Sequence, residues 1–171
     1  VKIPDGVSRK VATTLMLQGC TAHYLTHSLF RLQPGHSCLI HAASGGVGQL
    51  LVQIAKLRGA QVFATVGTEE KAALARAHGA DHVILYRDED FAEIVRRETG
   101  GDGVDVVYDS VGKSTIAGSI RSCKQRGTVC NFGAASGSVD SIKPFELAEA
   151  GSIFFTRPHM ADYMRDAQEI G

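Results

Sequence analysis

A run of small residues in the first third of the chain has the spacing of a phosphate-binding turn. Ala43-Ser44-Gly45-Gly46-Val47-Gly48 matches the pattern G-x-G-x-x-G, with an alanine in the first glycine position. Gly45 has no Cβ, so a pyrophosphate could approach its backbone closely, and Gly48 would let the next helix lie tight on the preceding strand. That helix would offer unpaired N–H groups and the positive end of its dipole to phosphates. The run predicts a dinucleotide site; a glycine turn in another kind of α/β protein is the alternative.

The end of the second apolar strand indicates which nucleotide would fit. NAD sites place an Asp or Glu about 20 residues beyond the glycines, where it holds the ribose 2′-hydroxyl. Here that position is Val66-Gly67-Thr68, and the two glutamates that follow are expected in the first turn of the next helix. The missing acid leaves room for a 2′-phosphate, whose charge Lys71 and Tyr86-Arg87 could meet. The pattern favours NADPH, although Lys71 alone could be a solvated helix lysine.

These residues must be positioned by an alternation of strands and helices. Two helices come first, one capped by Ser8 and ended by Gly19, the other capped by Thr21 and running toward Phe30. Apolar runs predict six strands, one beginning at Cys38 and the others over 61–66, 82–85, 104–109, 128–132 and 152–155. Helices are predicted after the glycine turn, over 71–78, 91–97, 115–123 and 145–150, and from Ala161 onward.

This alternation predicts an α/β fold of one domain over residues 1–171. We expect a Rossmann-type, doubly wound, parallel six-stranded sheet with helices on both faces and the strand order 3-2-1-4-5-6. Ligands of such sheets bind outside the carboxyl ends of the strands. The glycine turn, Gly67, Tyr86, Asp109-Ser110 and Phe132-Gly133 all fall at those ends, so they are predicted to share one face of the sheet.

Composition excludes several other classes of protein. The 18 basic and 18 acidic residues balance, so nothing indicates binding to nucleic acid or a membrane surface, and no apolar run has transmembrane length. The N-terminal residues do not read as a signal peptide. The four cysteines form no C-x-x-C pair and read as reduced thiols of a cytoplasmic protein. No histidine falls at a ligand spacing beside a cysteine, so no metal site is expected.

Taken together, these residues resemble the coenzyme-binding domain of the quinone oxidoreductase (zeta-crystallin-like) branch of the medium-chain dehydrogenase/reductase superfamily. The matching segments run in family order across nearly the whole chain: Leu17–Ala22, His41–Gly48, Gly67–Lys71, Tyr86-Arg87, Val107–Gly112 and Thr156–Pro158. One departure is the loop Ala134–Gly137, where relatives often carry a polar side chain beside the glycine.

The resemblance implies a role toward NADPH for each matching position. The pyrophosphate would lie on the turn Ser44, Gly45, Gly46, Val47 and Gly48, and the 2′-phosphate by Gly67, Lys71 and Tyr86. Ser110 would lie near the adenosine half. The residues near the nicotinamide half would be Thr21, Phe132, Gly133, Phe155 and Arg157. No catalytic side chain is identified.

The resemblance also implies an activity: zinc-independent hydride transfer from NADPH to a quinone-type, small-molecule acceptor. Family members carry an N-terminal catalytic domain of comparable size, so this chain is expected to be the cofactor domain of a longer enzyme and inactive alone. A carbon–carbon double-bond reductase acting on an enone or an unsaturated or halogenated acid is a second candidate, and a non-catalytic NADPH-binding module a third. Relatives commonly dimerise through the apolar edge strand, here 152–155, and a homodimer is expected.

Overall fold

A computed structural model describes residues 3–165 as a six-stranded sheet with helices on both sides. A five-residue π-helix, Leu25–Leu29, extends the first helix, and a short 3₁₀ helix, Met160–Tyr163, follows the last strand. The strands are β1 Ser37–Ile40, β2 Gln61–Val66, β3 His82–Leu85, β4 Val104–Asp109, β5 Cys123–Asn131 and β6 Phe154–Thr156. The α-helices are α1 Arg9–Tyr24, α2 Gly46–Leu57, α3 Glu69–Ala77, α4 Phe91–Glu98, α5 Ile116–Ser122 and α6 Pro144–Glu149.

The strands are all parallel and lie in the order β3-β2-β1-β4-β5-β6, which confirms the predicted topology. Successive side chains of a strand face opposite sides of the sheet. On β1, Cys38 and Ile40 pack into one core with α1, α2 and α3, whereas Leu39 packs into a second core with α4 and α5. Both faces are therefore buried, as the Rossmann-type fold requires.

The predicted break at Gly19 is wrong, because α1 runs unbroken from Arg9 to Tyr24. Glycine weakens a helix by only about 1 kcal/mol, which the burial of Ala22 and Tyr24 at the end of α1 can offset. Thr21 caps nothing; its hydroxyl donates to the carbonyl of Leu17 inside the helix at 2.7 Å. The Ser8 cap is confirmed, since its hydroxyl accepts from the N–H of Val11 at 3.3 Å.

Other boundaries moved by a few residues for local reasons. Helix α3 begins at Glu69 because the Thr68 hydroxyl caps it, accepting from the N–H of Lys71 at 3.4 Å. Strand β5 begins at Cys123, five residues early, because the chain passes directly from α5 into it. Strand β6 is shorter than the predicted 152–155, since Ser152 has a left-handed φ of 59° and cannot continue a strand. The helix predicted from Ala161 onward lies partly outside the described residues.

The first half of α1 exposes several apolar side chains around the helix. Met16 and Leu17 are each 63% exposed, and Val11 and Leu15 are also exposed. None of the described helices is long and apolar enough to span a membrane.

Candidate functional site

The turn between β1 and α2 has three backbone donors without partners among residues 3–165. Gly45 caps α2, its N–H donating to the Ala42 carbonyl at 2.8 Å and its carbonyl accepting from Gln49 at 2.9 Å. The Gln49 side chain also donates to the carbonyl of Ser44 at 2.7 Å, which holds the turn in shape. Among the described residues, the N–H groups of 46–48 donate to no acceptor. They point out of a helix N-terminus, the geometry that binds a phosphate.

Close packing against the backbone requires glycine at position 48 of the turn. A Cβ at Gly48 would collide with the Ala42 carbonyl and lie 2.8 Å from the Cα of Ala43, so only glycine lets α2 sit this close to the end of β1. A Cβ at Gly46 would lie 2.5 Å from the Cδ atom of Gln18, but that atom is at the end of a flexible side chain, which could move aside. At Gly45 a Cβ would only come within 3.2 Å of the Ala42 carbonyl, a tight but milder contact. The role predicted for Gly48 in helix–strand packing is confirmed.

A buried polar network lies beneath this turn. His41, only 1% exposed, follows β1; its Nδ1 is 2.8 Å from the Thr65 hydroxyl and its Nε2 is 3.0 Å from the Ser119 hydroxyl. Because Ser119 donates its own proton to Asp109 at 2.7 Å, its oxygen accepts from Nε2–H, and Nδ1 accepts from Thr65. Burial lowers the pKa of His41 to about 4, and Asp109 partly opposes that effect. The imidazole is therefore neutral near pH 7 and joins β1, β2, β4 and α5.

Asp109 also holds the turn that follows β4. Its Oδ1 accepts from the N–H groups of Val111 at 2.8 Å and Gly112 at 2.9 Å, and its Oδ2 accepts from the Thr115 hydroxyl at 2.8 Å. Sequence reasoning placed Asp109 at a strand end but missed this network. The signal available was a polar residue at the carboxyl end of a mostly apolar run, at both His41 and Asp109.

The turns after β4 and β5 lie against each other. A Cβ at Gly133 would collide with the Ser110 carbonyl and lie 2.9 Å from the Ser110 Cα, so this contact requires glycine. The Phe132 N–H donates to the carbonyl of Asp109 at 2.9 Å, and its half-buried ring packs on the core. Ser110, Phe132 and Gly133 are thus brought together, as predicted from their strand ends.

Tyr86 lies over Gly67 at the end of β2. A Cβ on Gly67 would come within 2.9 Å of the Tyr86 hydroxyl, and the tyrosine remains 49% exposed. Lys71 is exposed in the first turn of α3, where its backbone is fixed by the Thr68 cap. The structure therefore places a phenol over a strand end that has no acid, with Lys71 in the first turn of the helix that follows.

Two cavities open at the carboxyl ends of the strands. The larger, about 470 Å³, is lined by His41, Ala42, Thr65, Tyr86 and Val111 together with residues of the turns beyond β4 and β5. The smaller, about 360 Å³, includes Asn131, Phe155 and Arg157. Thr21 lines neither; its hydroxyl lies 3.6 Å from the sulfur of Met160.

A scan of residues 3–165 finds no three His, Cys, Asp or Glu side chains that together could hold a metal ion. The cysteines of that part of the chain are free thiols, three of them buried.

Comparison with known proteins decides the family. A family model described as zinc-binding dehydrogenase matches residues 46–167. The chain belongs to this family. The zinc in that description has no matching donor set among the described residues.

Relatives within this family confirm the resemblance to the quinone oxidoreductase branch. The chain is 50% identical over 157 residues to a 2-haloacrylate reductase from Burkholderia sp., covering 91% of this chain and 47% of that protein. It is 39% identical over 168 residues to quinone oxidoreductase 1 of Escherichia coli, covering 98% and 51%. The crystal structure of Escherichia coli quinone oxidoreductase complexed with NADPH superposes with a TM-score of 0.96 at 39% identity, covering 99% of this chain and 52% of that one. The chain spans about half the length of the curated relatives it matches.

Proposed function

We propose that this chain is the NADPH-binding domain of an oxidoreductase that transfers hydride from NADPH to a quinone-type acceptor. The observation that carries the proposal is the turn 46–48, with its three unpartnered N–H groups, beside a β2 end that has no acid. The Escherichia coli relative, whose structure contains NADPH, supports it. When bound, NADPH supplies the hydride, and the protein binds and orients it.

Each predicted site residue has a role in this proposal. The turn from Ser44 to Gly48 would hold the pyrophosphate, and Gly67, Lys71 and Tyr86 would receive the 2′-phosphate. The larger cavity, beside Ser110, would take the adenosine half. The nicotinamide half would lie toward Thr21, Phe132, Gly133, Phe155 and Arg157. The turns after β4 and β5 and the hydrogen bonds of His41 would hold the cofactor site rigid, and a rigid site favours a reactive orientation of the bound cofactor.

A carbon–carbon double-bond reductase is the second candidate. The identity of 50% to a 2-haloacrylate reductase favours it, since that protein's name describes reduction of an unsaturated halogenated acid. Arg157, in the smaller cavity, presents a guanidinium group that would suit a carboxylate. A non-catalytic NADPH-binding module is the third candidate.

We further propose that the chain acts within a longer protein. Its relatives are about twice its length, and the exposed apolar side chains of α1, Met16 and Leu17 among them, are ones that another domain would cover. Acceptor contacts would then be shared with that domain. The chain alone is expected to bind NADPH but to reduce no quinone.

A homodimer through β6 is part of the proposal. Within residues 3–165, β6 pairs with β5 on one side and with no strand on the other. Phe154 on this edge is 64% exposed. Two such edges joined across a two-fold axis would pair their backbone N–H and C=O groups and cover the Phe154 ring of each chain. We also propose a cytoplasmic location, because the thiols of Cys38, Cys123 and Cys130 are buried and unpaired.

The test is turnover by the full-length protein that contains this chain. NADPH oxidation is followed with a benzoquinone, a simple enone and a haloacrylate as acceptors. The proposal expects the highest kcat/KM with the quinone. A higher value with the haloacrylate or enone would favour the second candidate, and no turnover with any acceptor would favour the binding module.

A further inference from the structure

The side chain of Gln18 occupies the space beside the first residue of α2. A Cβ on Gly46 would lie 2.5 Å from the Gln18 Cδ atom and 2.6 Å from its Oε1, and would collide with its Nε2. The amide therefore lies directly against the Gly46 backbone. The absence of a Cβ at Gly46 leaves room for this side chain of α1. The motif pattern does not explain this contact, because it depends on the packing of α1 against α2.

The Gln18 amide is free to bind a ligand, as far as residues 3–165 show. Gln18 is only half-buried, and no hydrogen bond from its side chain is found among residues 3–165. It lies beside Gly46, the first of three residues, 46–48, whose N–H groups also lack acceptors among the described residues. An anion at this helix N-terminus would be within reach of both the backbone donors and the two amide protons of Gln18.

The helix face that carries Gln18 also leads toward the segment proposed for the nicotinamide half. Gln18 and Thr21 are three residues apart, so they lie on the same face of the helix. Thr21 contacts Met160, which follows β6. This face of α1 therefore runs from the phosphate turn toward the segment proposed for the nicotinamide half.

We propose that Gln18 is a cofactor-binding residue whose side-chain amide donates to the pyrophosphate of the dinucleotide, at the phosphate on the nicotinamide side. The proposal rests on the function proposed above. If so, the contribution of Gln18 to affinity does not depend on the 2′-phosphate, whereas that of Lys71 does. Gln18 thereby contributes affinity shared by NADPH and NADH, whereas Lys71 contributes the preference between them.

The experiment compares Gln18→Met and Gln18→Glu with the wild type by calorimetric titration of NADPH, NADH and adenosine 2′,5′-bisphosphate. The bisphosphate carries the 2′-phosphate but lacks the phosphate on the nicotinamide side. Gln18→Met is expected to weaken NADPH and NADH by the same factor, about tenfold, and to leave the bisphosphate unchanged. Gln18→Glu is expected to weaken both dinucleotides further, with a loss that shrinks at high salt.

Gln53→Met is the matched control, because Gln53 is an exposed glutamine of α2 whose amide donates to the carbonyl of Gln49. Unchanged dinucleotide affinity in Gln18→Met would overturn the proposal. Equal weakening of all three ligands would also overturn it, since that outcome means that Gln18 only shapes the turn. Failure of the wild type to bind NADPH would instead refute the proposed function itself.

Discussion

The buried imidazole of His41 makes a testable link between pH and stability. In the folded protein its pKa is lowered to about 4 by burial, whereas an unfolded chain titrates near the ordinary value of 6.5. Between these two values the unfolded state binds the additional proton. The contribution of a neutral His41 is therefore complete above pH 6.5 and is lost as the pH falls toward 4. His41→Gln removes the titrating group from this balance.

The size of the effect follows from the shift. Each unit of pKa difference corresponds to about 1.4 kcal/mol, so the full loss is roughly 3 kcal/mol, of which about 2 kcal/mol has occurred by pH 4.5. The lowered pKa values of Asp81, Asp90 and Asp105 also weaken the fold in acid, but wild type and variant share them. The difference between the two proteins isolates His41.

Urea unfolding of wild type and His41→Gln at pH 7.0 and pH 4.5 measures this difference. The variant is expected to be less stable at pH 7, because it loses contacts to Thr65 and Ser119, yet to lose about 2 kcal/mol less than wild type on acidification. His159→Gln is the matched control for removal of an exposed histidine. Equal acid losses in wild type and His41→Gln would refute the reasoning. If the variant does not fold, an NMR titration of wild type decides instead, and protonation of His41 above pH 6 would contradict it.

Three further changes test other parts of the account. Lys71→Ala is expected to weaken NADPH about tenfold and to leave NADH nearly unchanged in a fluorescence titration; equal loss for both would refute the 2′-phosphate assignment. Gly48→Ala should lower the free energy of unfolding by roughly 2 kcal/mol or more, since its Cβ would collide with the Ala42 carbonyl, and an unchanged urea midpoint would contradict this. Phe154→Lys should convert the proposed dimer to monomers, as measured by light scattering, and a wild type that is monomeric at high concentration would contradict the dimer proposal.

Much of the fold could be predicted from the sequence because its patterns are local. The bounds of β2, β3 and β4 match the predicted ones, since strands covered on both faces are mostly apolar and glycines mark the turns around them. Helix α1 shows where local signals fail. Gly19 looked like a stop, but the packing of the helix end on the core decides its length.

The candidate site likewise has features that the sequence predicts and contacts that it does not. The glycine turn and the acid-free end of β2 could be read directly, because their meaning lies in spacing along the chain. The contact between Gln18 and Gly46 joins residues 28 positions apart, and the contact of His41 with Ser119 joins residues 78 apart. Such pairs arise only from the packing of helices on one another and on the sheet, so sequence spacing could not reveal them. The predicted roles toward NADPH stay predictions until binding is measured.

The central claim is that this domain binds NADPH at the carboxyl ends of its strands and distinguishes it from NADH. Calorimetric titration of the wild-type protein with each nucleotide tests that claim most directly. The account predicts saturable binding of one NADPH per chain, about tenfold or more tighter than NADH, because Lys71 and Tyr86 are proposed to receive the 2′-phosphate. Absence of saturable NADPH binding, or equal affinity for the two nucleotides, would contradict it.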